Sequence, residues 1–227
     1  MSGALTPTCA KCPFEEKERA CRRKGGKAPA FCPTKRMEAE IEKAAEAYLK
    51  PETFEFARQA SIQEASCYIN RDQKPFVRHP VKPRLQEISE FAARMGYKRL
   101  GLAFCAGLFK EASVFSAYLE RCGFEVVSVV CKVGCTSKEH IGITAAEKVC
   151  VGEQPEAMCS PIAQAIILNE SKTDFNILLG LCVGHDSLFF KHASAPTTVF
   201  AVKDRVTGHN PLAAIYTIDS YYERFKK

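Results

Sequence analysis

The chain has no tryptophan, no internal repeat and no low-complexity segment. Nowhere does an apolar run approach the roughly 20 residues of a membrane-spanning helix, which speaks against a membrane protein. The first residues, MSGALTPTCAKC, lack a basic stretch followed by an apolar run, so no secretory leader is expected and a cytoplasmic location is. There is no Walker loop and no G-x-G-x-x-G turn, leaving nucleotide binding without positive support. No serine sits in a G-x-S-x-G elbow, which disfavours a hydrolytic triad. There is little excess of charge of one sign: 32 Lys and Arg against 26 Asp and Glu give +6, which only weakly favours nucleic acid or another anionic partner.

Cysteine, by contrast, is abundant. Twelve occur, at 9, 12, 21, 32, 67, 105, 122, 131, 135, 150, 159 and 182. In a reducing compartment such enrichment points to metal ligation or redox chemistry rather than structural disulfides. Cys67 and Cys122 fall inside helical patterns and read as small buried apolar residues.

The organising stretch runs from Lys98 to Cys135. Arg99 to Phe104 is a short apolar strand. Phe109 to Cys122 carries apolar residues at helical spacing and stops at Gly123. The valine-rich segment Glu125 to Val130 is a second strand. A strand–helix–strand unit of this size implies a parallel sheet. Further strands are expected at Asp174 to Leu181, Thr197 to Val202 and Ala213 to Ile218, with helices near 162–171 and 187–191. The fold class is therefore α/β, a mostly parallel sheet with flanking helices, preceded by a cysteine-rich helical module. The module is placed at 1–80 and the α/β domain at 81–227. Helices are expected over Pro33 to Leu49, Glu52 to Tyr68 and Arg84 to Met95.

Two cysteine sets follow. In the module, Cys9, Cys12, Cys21 and Cys32 are spaced C-x2-C-x8-C-x10-C around Gly25, Gly26 and Pro29. A segment so poor in apolar residues needs something else to order it, and a four-thiolate metal site would do so. In the domain, Cys105, Cys131 and Cys182 each directly follow a strand, and Cys159 precedes a helix. Parallel topology gathers strand carboxyl ends along one edge, where open α/β sheets place ligands. Soft thiolates suit an iron–sulfur cluster, such as 4Fe-4S, or zinc. On the same edge His185, Asp186, Lys203 and Arg205 are expected to bind a small anionic ligand.

The segments FCAGL (104–108), VCKVG (130–134), CSPIAQA (159–165), GLCVGHDSLFFKHASAP (180–196) and VKDRVTGHNP (202–211) resemble a prokaryotic cysteine-rich family. Its members are labelled metal-binding protein or domain of unknown function. The resemblance implies metal binding by Cys105, Cys131, Cys159 and Cys182, with no established reaction. The chain departs from the family motif at Ser160, where asparagine is common.

The expected function is thus a cytoplasmic metal-binding protein, iron–sulfur in type, working in electron transfer or a redox reaction with a partner protein. The rival is a zinc-stabilised binding module for an anionic ligand or a protein partner. A third is a metal-free thiol sensor.

Overall fold

The computed structural model describes residues 6–152 and 155–226. The chain divides into two compact units between Ile62 and Gln63.

The first unit opens with one-turn 3-10 helices at Cys9–Lys11 and Glu16–Glu18. An isolated bridge pairs Arg19 with Lys27. Gly26 is required there, because a Cβ would lie 2.5 Å from Arg19 O. Three helices follow: α1 (Pro33–Arg36), α2 (Glu38–Tyr48) and α3 (Pro51–Ser66). The expected continuous helix from Pro33 is split, because Met37 takes φ −122° and ψ 46°.

The second unit begins in the last turn of α3. A two-residue antiparallel pair, β1 (Tyr68–Ile69) and β2 (His79–Pro80), leads to α4 (Arg84–Arg94). Residues 63–80, grouped with the cysteine-rich module in the sequence reading, bond to α4. Gln63 Nε2 donates to Glu90 and Cys67 Sγ to Glu87.

The sheet contains β3 (Arg99–Phe104), β4 (Glu125–Val130), β5 (Phe175–Leu181) and β6 (Thr197–Val202). All pairings are parallel, in the order β4-β3-β5-β6. The connecting helices are α5 (Phe109–Arg121), α6 (Pro161–Glu170) and α7 (His185–His192). Side chains alternate across β3. Phe104 meets Phe109 of α5 edge-on at 5.2 Å. Ala103 packs with Ala165 and Leu168 of α6. Helices therefore cover both faces, and β5 is buried throughout, as a central parallel strand requires.

The expected fifth strand, Ala213 to Ile218, is instead helical: α8 covers Leu212–Tyr216. Pro211 has helical φ and ψ just ahead of it, and Thr217 N bonds back to Ala213 O. The segment satisfies its backbone locally rather than by joining the sheet. After Asp219 the chain forms a short 3-10 helix, Glu223–Lys226. Cys122 is exposed rather than buried, because α5 ends one residue earlier.

Candidate metal centre at the carboxyl edge of the sheet

The chain leaves β3 in one direction to form β4 and then crosses back to form β5 on the other side of β3. The reversal lies between β3 and β5, where open α/β sheets form their ligand crevice. Cys105 and Cys182 are the first residues past those two strands, and Cys131 is the first past β4.

Cys105 and Cys131 are held by the continuing ladder. Cys105 N donates to Leu179 O at 3.0 Å and Cys131 N to Phe104 O at 2.8 Å. Within β5, Gly180 has φ +71°, and the pairing to β6 shifts register there. A Cβ at Gly180 would collide with Leu108, so glycine is required on two counts.

Cys159 arrives differently. After Cys131 the chain loops out and returns, with Ser137 bridging Ala157. Met158 N donates to Thr136 O, and Ser160 N to Cys131 O, both at 2.7 Å. Lys132 Nζ donates to Ala157 O. The returning strap therefore sets Cys159 beside Cys131 just before α6 begins, with Ser160 as the N-cap.

Together Cys105, Cys131, Cys159 and Cys182 line one small cavity with Pro161, Gln164, Leu181 and His185. Cys131 belongs to the hydrophobic core. Its Sγ lies 3.8 Å from that of Cys159, also contacts the thiol of Cys105, and accepts Ala106 N–H at 3.3 Å. The electrostatics split the trio. Hydrogen bonding to Cys105 and Cys159, together with burial, pushes the Cys131 thiol up, so it keeps its proton. The Cys131 hydrogen bond lowers Cys105 to about 5 against the opposing effect of burial, with help from the Gly107 N–H and Lys203. Cys159 falls to about 6, again chiefly through Cys131, with Lys132 and His185 contributing. Thiolates are the ligating and nucleophilic form of cysteine.

Of the polar residues expected at this edge, His185 lines the cavity, and Arg205 Nη2 donates to Cys182 Sγ at 3.3 Å. Lys203 Nζ would lie 3.8 Å from a Cβ on Gly107 and 3.6 Å from one on Gly180. The turn carrying both cations is built by Asp204, whose carboxylate accepts Val206 N and Thr207 N at 3.0 Å. Asp204 N in turn donates to His209 Nδ1. Asp186 is used locally, accepting Ser187 N.

Cys9 and Cys12 share one 3-10 turn, Cys12 N donating to Cys9 O, and Cys32 N donates to Pro29 O. Cys9 and Cys21 are exposed, Cys12 and Cys32 half-buried. Among the described residues, no group of three or more His, Cys, Asp or Glu side chains is arranged around a shared metal-ion position. Cys135 and Cys150 are exposed.

A family described as protein of unknown function (DUF1847) matches residues 32–200. The chain belongs to that family. The matched segment of DUF1847 contains Cys105, Cys131, Cys159 and Cys182. It leaves out Cys9, Cys12 and Cys21, and stops short of Lys203 and Arg205. A relative, uncharacterized protein MJ0455 of Methanocaldococcus jannaschii, is 46% identical over 181 residues, 80% of this chain and 84% of its own. Among solved structures, that of Dph2 from Pyrococcus horikoshii is similar over 64% of this chain at TM-score 0.35 and 18% identity. The matched part is 33% of the Dph2 chain.

Sequence reasoning missed Gln164. A single amide in the otherwise apolar helix IAQAIIL was the available signal.

Proposed function

We propose that this protein holds an iron–sulfur cluster on its strand-end thiols and works in electron transfer or a redox reaction. The observation that supports this most is the convergence of Cys105, Cys131, Cys159 and Cys182 on one cavity at the point where strand order reverses. The donor set is all thiol, which suits iron–sulfur or zinc. A backbone N–H already donates to Cys131 Sγ, a contact of the kind that tunes cluster potential. Lys203, Arg205 and Lys132 offset the negative charge that several thiolates accumulate. A bound cluster supplies reversible one-electron storage. The chain's own part is to favour the thiolate at Cys105 and Cys159, screen the sulfurs with cations and exclude bulk water through Leu181 and Pro161. Cys9, Cys12, Cys21 and Cys32 are proposed as a separate centre that orders the first unit.

Lys203 and Arg205, with His185, are the groups available to a small anionic ligand at the same edge; the other partner is a redox protein. A zinc-stabilised binding module is the second reading. It draws on the 3.8 Å Cys131–Cys159 spacing, since two thiolates about 2.3 Å from one tetrahedral ion lie roughly 3.8 Å apart.

Anaerobic purification followed by iron, zinc and acid-labile sulfide analysis separates the two. Brown protein that bleaches with dithionite, with iron and sulfide in equal amounts, is expected. Stoichiometric zinc without sulfide would replace the redox reading by the binding-module one, and absence of both metals would remove both.

A further inference from the structure

Cys131 and Cys159 are held as a pair without any bond between them. Their sulfurs lie 3.8 Å apart, and the backbone around both is pinned. Cys131 N donates to Phe104 O, and Cys131 O accepts Ser160 N at 2.7 Å. On the other side of Cys159, Met158 N donates to Thr136 O. A disulfide needs its two Cα atoms close and its side chains facing, with the sulfurs about 2.05 Å apart. The backbone pairing of Ser160 with Cys131 meets the first condition and the sulfur contact meets the second. Side-chain rotation is then enough to close the gap.

The two thiols differ in access. Cys131 is 2% exposed and belongs to the hydrophobic core, whereas Cys159 is half-buried. A reagent arriving from solution meets Cys159 first and reaches Cys131 only through it. It also meets positive charge. Lys132 Nζ is fixed on Ala157 O, two residues from Cys159. Arg205, bonded to the Cys182 sulfur in the same cavity, is close enough to feel a charge on Cys159.

We propose that Cys159 and Cys131 form a thiol–disulfide exchange pair that reduces a small anionic disulfide, Cys159 attacking and Cys131 resolving. The Cys159 thiolate attacks one sulfur of the small disulfide, whose S–S bond breaks and releases the first thiolate. Cys131 Sγ then attacks Cys159 Sγ, breaking the mixed disulfide and releasing the second. The two protein sulfurs give up two electrons, the small disulfide gains them, and the two thiol protons end on the released thiolates. The new bond closes residues 131–159 into a covalent loop and ties the end of β4 to the start of α6. It uses two of the thiols assigned to a cluster, so it belongs to the chain without one and goes beyond the electron-transfer reading.

The test uses the full chain, freed of metal with a chelator and fully reduced under anaerobic conditions. Glutathione disulfide is the probe. After an acid quench the remaining thiols are blocked in denaturant with N-ethylmaleimide, and peptides are mapped by mass spectrometry without reduction. The Cys131 and Cys159 peptides are expected to appear joined, with both thiols lost from the blocked pool and recovered on adding dithiothreitol. Cys131 joined to Cys105 or Cys135 instead, or Cys131 and Cys159 both still blocked, overturns the proposal. In Cys131→Ser the reaction is expected to stop at a glutathione adduct on Cys159; an unmodified Cys159 overturns its role as the attacking thiol. The wild-type map decides the pair whether or not that variant folds. Cystamine, a cationic disulfide, is expected to react more slowly at low salt, with the gap narrowing as salt screens the charges; the same salt response for both reagents removes the anionic preference. With metal excluded throughout, a failure here leaves the cluster reading standing, and metal and sulfide analysis tests that reading by itself.

Discussion

Gly101 lies midway along β3, directly opposite Asn176 of β5. A Cβ there would overlap Asn176 Oδ1 and lie 2.9 Å from Leu168 Cδ1. Asn176 has nowhere to go: it is fully buried, and its Oδ1 accepts Thr173 Oγ1 at 2.8 Å. Gly101→Ala therefore overpacks the junction of β3, β5 and α6, at a cost of about 1–3 kcal/mol. Urea unfolding checks this. The midpoint should fall with the slope unchanged, and an unshifted midpoint would show that Asn176 can yield.

Among the elements, the junction of α3 and α4 is the most electrostatic. Burial alone would raise Glu90, but hydrogen bonds from Lys82, Gln63 and Gln86 outweigh it and hold the carboxyl at about 2. The Lys82 contact is 2.6 Å, with both side chains under one-third exposed. A depressed carboxylate stabilises the fold above its unfolded pKa, near 4.5. That contribution is lost as pH falls from about 4.5 toward about 2. Glu90→Gln should lower stability at neutral pH by roughly 1–2 kcal/mol and flatten the acid limb of a Tm-against-pH curve; an unaltered limb would rule the junction out as its cause. Much at this scale was legible in the sequence. The β3–α5–β4 unit follows from apolar period, the stop at Gly123 and valine enrichment, all local signals, and its strands fall where those signals put them. The cysteines at strand ends could be expected to share an edge for the same reason. The errors have non-local causes. Ala213 to Ile218 has strand-like composition, but whether such a segment pairs or coils depends on an available sheet edge. Gln164 takes its meaning from carbonyls of Phe104 and Val129, 60 and 35 residues away, which no periodicity encodes. From the sequence Cys159 is only the residue ahead of a helix, whereas the backbone pairing of Ser160 with Cys131 sets its position.

Across the whole molecule, apolar burial is lopsided. Among the described residues, every buried apolar side chain lies at Cys67 or beyond, so the first unit is ordered without a core of its own. No described helix is long and apolar enough to cross a membrane. Limited proteolysis of the full chain with and without a chelator tests what orders the first unit. Chelation, or Cys12→Ser, should open residues 9–32 to cleavage and leave a resistant fragment from about residue 63; equal resistance in all three samples would dissociate the first unit from metal. The strand order has a further consequence, for synthesis. β5 is central in space but late in the chain, following β4 by more than 40 residues. At about 5–20 residues per second, β3 waits several seconds on the ribosome with one edge unpaired. During that interval Cys105 and Cys131 are already in place while Cys159, Gln164 and Cys182 are still being made. The cavity closes only when β5 docks, so any centre it holds has to be inserted after translation has passed His185.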